Sequence, residues 1–332
     1  MPSWQNKFDE RMLEHAGRLI GLDEQAFKHI GGFENVIYSF KQDGNNRILR
    51  VAHDSHRSVG LMEAEMHFID YLAKHGVQIA GAVAFANGNL IESISSGEDT
   101  FILTLFENAP GGHINAEHPD WGTKLFEQWG EITGKMHALE QDYTVPEGMT
   151  VRPHQDVIGF DTAKFSSEER MVYEKLQQLE KKINALPRER GAYGLCHRDL
   201  HHGNFHVHNG QMVAFDFDDC GYDYFVQDFA MAVYYGSVFG IWAKPVYENE
   251  RVSVLANEIL DSFFTGYSRY YRLDAKCVKE LPLFIEKRRL EIFLLLYNIY
   301  LSSSDERKHE WIKHNLQDIE QGVPCMELKL PV

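Results

Sequence analysis

Between residues 196 and 230 the chain reads CHRDLHHGNFHVHNGQMVAFDFDDCGYDYFVQDFA, and the Asn209-Gly210 step inside it leaves few ways to fold. Asn-Gly is the favoured two-residue loop of a tight hairpin, and here it is flanked by FHVH and QMVAF. With those two residues as the loop, position 208 pairs with 211, 207 with 212 and 205 with 214. Phe205, Val207, Met212 and Ala214 then share one apolar face. The same register sets Asn204 opposite Phe215 and therefore beside Asp216, since directly opposed residues lie about 5 Å apart. An amide oxygen and a carboxylate are oxygen donors of the kind that suits a hard cation such as Mg²⁺. Asp199 stands five residues before Asn204, in the loop that feeds the hairpin.

Around this segment the texture is divided. Residues 9–20 have helical spacing and stop at Gly21. From 26 to 53 the pattern is strand-like, broken by Gly31-Gly32 and by the turn Asp43-Gly44-Asn45-Asn46. A helix is predicted over 58–75, then strands around 83–92 and 101–106. Ala109-Pro110-Gly111-Gly112 is the strongest breaker of the first half, and a domain boundary is placed there. Beyond it helices are predicted over 121–140, 167–186, 226–240, 250–272, 280–303 and 305–320, with one β interruption at 205–216. The expectation is an α+β protein of two lobes. Residues 1–108 form an N-lobe with an N-terminal helix, a five-stranded antiparallel sheet and one further helix. Residues 109–332 form a larger, mostly helical C-lobe. Small-molecule sites favour the cleft at such a domain hinge.

Composition removes several classes of function. With 33 basic against 49 acidic residues in 332, the formal charge is −16. That excess opposes binding to nucleic acid or to an anionic membrane. It leaves ATP open, because a divalent cation supplies positive charge. Cys196, Cys220, Cys277 and Cys325 are widely spaced with no C-x-x-C pair, the usage of a reducing cytosol. No apolar h-region opens the chain, and the greasy run from Ile292 to Leu301 is half a membrane span. A soluble cytoplasmic protein is expected, monomer or homodimer.

His197-Arg198-Asp199-Leu200-His201-His202-Gly203-Asn204, followed by Phe215-Asp216-Phe217-Asp218, resembles the aminoglycoside phosphotransferase and choline kinase family, with its protein-kinase-like fold. Within it the likeness is greatest to the homoserine kinase and stress-response kinase branch. The resemblance implies that Asp199 is the catalytic base for a substrate hydroxyl, and that Asn204 and Asp216 hold Mg²⁺ on the phosphates of ATP, with GTP not excluded. It implies that Asp218 adds a ligand or positions a second metal, that His197 is structural, and that Asp228 ties the loop to the following helix. Gly31, Gly32, Phe33 and Asn35 are similar to the family's nucleotide loop. Backbone groups near Phe106, Glu107 and Asn108 would meet adenine.

The cation and carboxylate of the small lobe can be found by periodicity as well. On RILRVAH, Ile48, Arg50 and Ala52 share a face, so Arg50 is a cation on an apolar surface. On the next helix Met62, Met66, Ile69 and Ala73 form a stripe. Glu65 lies inside it, about 60° from Met62, while Glu63 lies about 100° away and outside it. A carboxylate on a buried stripe needs a partner, and Arg50 is the natural one. Protein kinases carry Lys where this chain has Arg50, a planar fork in place of a point charge.

Competing readings exist. Five of the seventeen histidines (His197, His201, His202, His206, His208) fall within twelve residues, which suggests a metal-dependent hydrolase. The order H-x-D-x-H-H is not that of metallo-β-lactamase-like enzymes, and His309 and His314 stand about 140° apart on a helix, too far for a shared ligand face. A catalytically silent, kinase-like nucleotide binder is a second alternative, opposed by the intact Asp199, Asn204 and Asp216. The function expected is transfer of the γ-phosphoryl group of ATP to a hydroxyl of a small molecule: an amino alcohol, an aminoglycoside or a sugar-like acceptor.

Overall fold

In the computed structural model, residues 3–32, 34–55, 57–154, 160–239 and 249–331 are described. The chain divides into two compact units. The smaller comprises residues 1–110, 144–152 and 213–218; the larger comprises 111–143, 153–212 and 219–332.

The small unit begins with helix α1 (Glu10–Ile20), started by Asp9, whose side chain accepts from the N–H groups of Arg11 and Met12. Gly21, at φ 84°, stops it. An antiparallel sheet follows, built from β1 (Lys28–Gly31), β2 (Val36–Gln42), β3 (Asn45–His53), β4 (Ala82–Val83), β5 (Ile91–Ser96) and β6 (Asp99–Glu107). Its order is β1-β2-β3-β6-β4, with β5 also paired to β6. Six strands form where five are expected, because the run 83–92 is interrupted. Asn87 and Asn89 both donate to Glu92 and close a turn, leaving a two-residue strand before it and a six-residue strand after it.

β3 is central, and its alternation sets everything around it. Leu49 and Val51 enter a core with Phe8, Ile20, Phe40, Phe101, Leu103 and Leu105. On the other face Ala52 and Ile102 pack against Met62 of helix α2 (Val59–Lys74), which Ser58 caps. Arg50 shares that second face, opposite Thr104 of β6.

The large unit is mainly helical: α3 (Thr123–Glu140), α4 (Ser167–Asn184), α5 (Val226–Tyr234), α6 (Asn249–Tyr267), α7 (Ala275–Val278), α8 (Leu281–Leu301) and α9 (Glu306–Gln321). The run 226–240 is not one α-helix, since α5 gives way at Tyr235 to a π-helical turn reaching Phe239. Such turns often mark functional positions. Two strand pairs lie in the segment that carries the polar motif. β8 (Phe205–His208) and β9 (Gln211–Ala214) are the hairpin that Asn209-Gly210 predicts, both loop residues having positive φ. β7 (Tyr193–Cys196) and β10 (Gly221–Tyr224) pair antiparallel, Cys196 opposite Gly221. Sequence patterning does not reveal that pair, because four-residue strands with no shared turn leave no periodic trace. No helix among the described residues is long and apolar enough to cross a membrane.

α3 and α6 approach closely at glycines. A Cβ on Gly130 would meet the Phe263 carbonyl oxygen at 1.9 Å, and one on Gly266 would meet that of Glu127 at 1.9 Å. Gly130→Ala should therefore push the helices apart and cost about 1–3 kcal/mol, read as a lowered thermal unfolding midpoint.

Candidate active site

In the large unit the loop before β8 is held from below by a buried carboxylate. Asp228, on α5 and 1% exposed, accepts from the backbone N–H of His197 at 3.1 Å and of Arg198 at 2.7 Å. Its Oδ2 also meets His137 Nε2 of α3 at 3.1 Å, and His137 Nδ1 reaches the Tyr267 hydroxyl of α6 at 3.0 Å. Arg198 takes a left-handed φ of 70°, a conformation that costs about 1–3 kcal/mol. The Asp228 contact helps to hold it.

That turn presents Asp199. The Asn204 amide nitrogen donates to the Asp199 backbone oxygen at 2.9 Å and to its Oδ2 at 3.1 Å. With the nitrogen so engaged, the amide oxygen of Asn204 is directed away from Asp199. Oδ1 of Asp199 accepts from Arg288 of α8 at 3.1 Å, and His201 Nε2 lies 3.5 Å from Oδ2. Burial alone would raise the Asp199 pKa, but the His201 contact and the Arg288 charge outweigh it and hold the carboxyl below its ordinary value. Arg288 is bound in turn by the Tyr235 hydroxyl at 2.6 Å and by Glu291 at 3.2 Å. Burial drives the Tyr235 hydroxyl up to about 12.

In the small unit Arg50 and Glu65 form a two-pronged pair, both contacts at 2.8 Å and both residues under 5% exposed. Glu63 is exposed, so the helical periodicity selects the right carboxylate. Arg50 Nε also donates to the Thr104 hydroxyl at 3.2 Å, and its guanidinium lies 4.9 Å over the Phe106 ring. Burial would lower its pKa, yet Glu65, with Asp218 and Asp216 at longer range, raises it. The backbone N–H of Glu107 donates to Gly81 and that of Asn108 to Asn46.

Asp216 has a left-handed φ of 64°, unusual for a non-glycine residue and typical of functional loops. Asp218 belongs to the same unit, and its Oδ2 is committed. It accepts from Arg57 at 2.9 Å and from Asn35 Nδ2 at 3.0 Å, and Arg57 donates to its carbonyl as well. Asn35 is buried with its Oδ1 lacking a hydrogen-bond partner among the described residues. Gly31 and Gly32 have φ of 127° and 125°, and a Cβ on Gly32 would meet the backbone carbonyl oxygen of Asn35 at 2.0 Å, so this turn requires glycine. Phe33 lies outside the described residues.

Arg57 and Arg288 escape sequence reading. Arg57 lies in a short loop with no period. Arg288 carries a usable signal, because Lys287-Arg288-Arg289 is a run of cations inside an otherwise greasy helix. Buried cations demand partners.

The histidines of the loop do not converge. Among the described residues, the group whose His, Cys, Asp and Glu ligand atoms lie within 4.8 Å of one another is His137, Cys196 and Asp228. Its members are buried and hydrogen-bonded to the protein, and burial holds the Cys196 thiol well above its ordinary pKa. His202 is pushed down to about 4 by burial, helped by His201 and His113.

The profile of the phosphotransferase enzyme family matches residues 28–272. Over 320 residues the chain is 30% identical to amicoumacin kinase of Bacillus subtilis (strain 168), covering 95% of this chain and 93% of that protein. The structure of amicoumacin kinase hAmiN in complex with AMP-PNP, Ca²⁺ and Ami aligns with a TM-score of 0.86 at 29% identity, covering 98% of this chain and 97% of that one. A microcompartment-associated aminopropanol kinase shares the fold, with a TM-score of 0.72 at 18% identity, covering 96% and 99%. Fold and matches together define a small-molecule kinase with a hydroxyl acceptor and a protein-kinase-like α+β fold. The chain belongs to the phosphotransferase enzyme family. These likenesses do not single out the homoserine kinase and stress-response kinase branch.

Glu65→Ala would leave Arg50 buried without its carboxylate and should cost about 3–5 kcal/mol, measured by urea unfolding. Replacing both partners, as Arg50→Met with Glu65→Leu, should cost less than the single change.

Proposed function

We propose that the protein transfers the γ-phosphoryl group of ATP to a hydroxyl of a small molecule, with Asp199 as catalytic base. The observation that carries this reading is the Asn204 amide clasping both the backbone and the carboxylate of Asp199, on a loop anchored by Asp228. Phosphoryl transfer asks a protein chiefly for positioning and charge stabilisation, and a carboxylate fixed in this way meets that need. Asp199 orients the acceptor hydroxyl and takes its proton as the oxygen bonds to phosphorus.

The donor set fits a hard divalent cation. Asn204 offers an amide oxygen and Asp216 a carboxylate on a strained backbone. Asp218 is a lesser ligand, since Arg57 and Asn35 already hold one of its oxygens. When bound, Mg²⁺ neutralises phosphate charge. Arg50, kept charged and oriented by Glu65, contributes a second cation to the phosphates, and the turn at Gly31, Gly32 and Asn35 contributes backbone donors. Residues 1–108 supply the nucleotide-binding elements, residues 109–332 the catalytic loop and acceptor site. AMP-PNP and Ca²⁺ in the amicoumacin kinase complex support nucleotide and divalent-cation use here.

For the acceptor, the likeness to amicoumacin kinase supports a hydroxyl-bearing small molecule of that kind, and a net charge of −16 agrees with a cationic one. Cys196, Cys220, Cys277 and Cys325 stand as thiols, which supports a reducing, cytoplasmic setting.

Calorimetric titration with ATP should give binding that requires Mg²⁺ and is lost in excess EDTA. Asp216→Asn should weaken that binding. Asp199→Asn should retain it while losing about 10²–10⁴ in turnover, followed as ADP release with hydroxyl acceptors. Normal turnover in Asp199→Asn would remove the base assignment, and unaltered Mg·ATP affinity in Asp216→Asn would remove the metal assignment.

A further inference from the structure

We infer that Arg288 is a specificity-determining positioning residue, which occupies the base Asp199 until an acceptor displaces it and so suppresses transfer of the phosphoryl group to water. This rests on the reading of Asp199 as the base. Both carboxylate oxygens of Asp199 are engaged: Oδ1 by Arg288 at 3.1 Å, Oδ2 by Asn204 at 3.1 Å with His201 3.5 Å away. A carboxylate bound by a guanidinium through a charge-assisted contact is a weak base toward an incoming water. Side-chain exposure of 21% for Asp199 leaves it within reach of solvent, so protection by burial alone is incomplete.

The geometry also provides for release. Arg288 Nη2 donates to the Tyr235 hydroxyl at 2.6 Å and Nε does so at 3.1 Å, while Nη1 meets Glu291 Oε2 at 3.2 Å. Its guanidinium further lies 5.2 Å over the Tyr235 ring. Leaving Asp199 therefore forfeits one contact and keeps three, so the cation is never stranded in the interior, where an unpaired charge is expensive. Tyr235 opens the π-helical turn after α5, which aims its hydroxyl at the guanidinium. An acceptor held by its own contacts can supply the free energy to displace Arg288; a lone water cannot.

The suppressed reaction is hydrolysis. A water oxygen bonds to the γ-phosphorus, the bond to the β,γ-bridging oxygen breaks, and ADP leaves with that electron pair. The water proton passes to Asp199, and inorganic phosphate is the other product.

The test is ADP release from Mg·ATP without any acceptor. Arg288→Gln should raise this rate about tenfold, equivalent to about 1.4 kcal/mol, and the added Asp199→Asn change should abolish the increase. Loss of a merely structural contact would lower hydrolysis, not raise it. Arg288→Lys, which keeps a cation beside Asp199, should stay near the parent rate. Arg288→Met, which removes the cation while keeping a long side chain, should raise the rate as Arg288→Gln does and decides the matter if the latter does not fold. An unchanged or reduced rate in folded Arg288→Gln and Arg288→Met overturns the role of Arg288. If Mg·ATP fails to bind the parent protein calorimetrically, the kinase reading itself falls, and this inference with it.

Discussion

One buried carboxylate organises the large unit. Asp228 sits almost wholly out of solvent, where an ionised group persists only if its oxygens are bonded. Two backbone N–H groups of the 197–198 turn and the His137 ring satisfy it. Meeting that demand draws α5, α3 and the loop after β7 together, and it stabilises Arg198 in a backbone conformation that few residues adopt. The direction in which Asp199 emerges follows from that turn. Phe225 stacks on His137 at 4.0 Å and Tyr267 bonds its far nitrogen, so the imidazole that completes the anchor is itself fixed.

Charge pairing recurs among several of the ions that enter the interior. From Asp199 the sequence of partners runs to Arg288, to Glu291, to Lys287 and on to Glu180 of α4, alternating in sign. Arg198 and Asp223 form a further pair at 3.3 Å. In the small unit Arg50 with Glu65 and Arg57 with Asp218 obey the same rule. Such pairs add little net stability over well-packed apolar side chains, but losing one partner is costly. What they confer is orientation, and the pairs at Asp199, Arg198, Arg50 and Asp218 include or adjoin a residue proposed to act on the phosphates or the hydroxyl.

Several of these features are legible in the chain alone, for local reasons. Asn209-Gly210 specifies a hairpin because only residues tolerant of positive φ fit its loop. Glu65 stands out from Glu63 because a helix turns about 100° per residue and a charge inside an apolar stripe must find a partner. The caps at Asp9 and Gly21 are equally local. By contrast, the pairing of β7 with β10 joins segments separated by the whole motif, and the strand run 83–92 is divided by side-chain bonds from Asn87 and Asn89 to Glu92. Neither follows from alternation of apolar residues.

From sequence, then, come the order and kind of the elements, the loop bearing Asp199 and Asn204, and the pairing of Arg50 with Glu65, all consequences of periodicities and spacings within short stretches. The tertiary structure decides which distant charges meet. Arg288 lies 89 residues from Asp199, and Arg57 lies 161 from Asp218. The lengths of chain between them impose no geometry, so such contacts arise only when helices and strands pack and each buried charge must take the partner that the packing brings within reach.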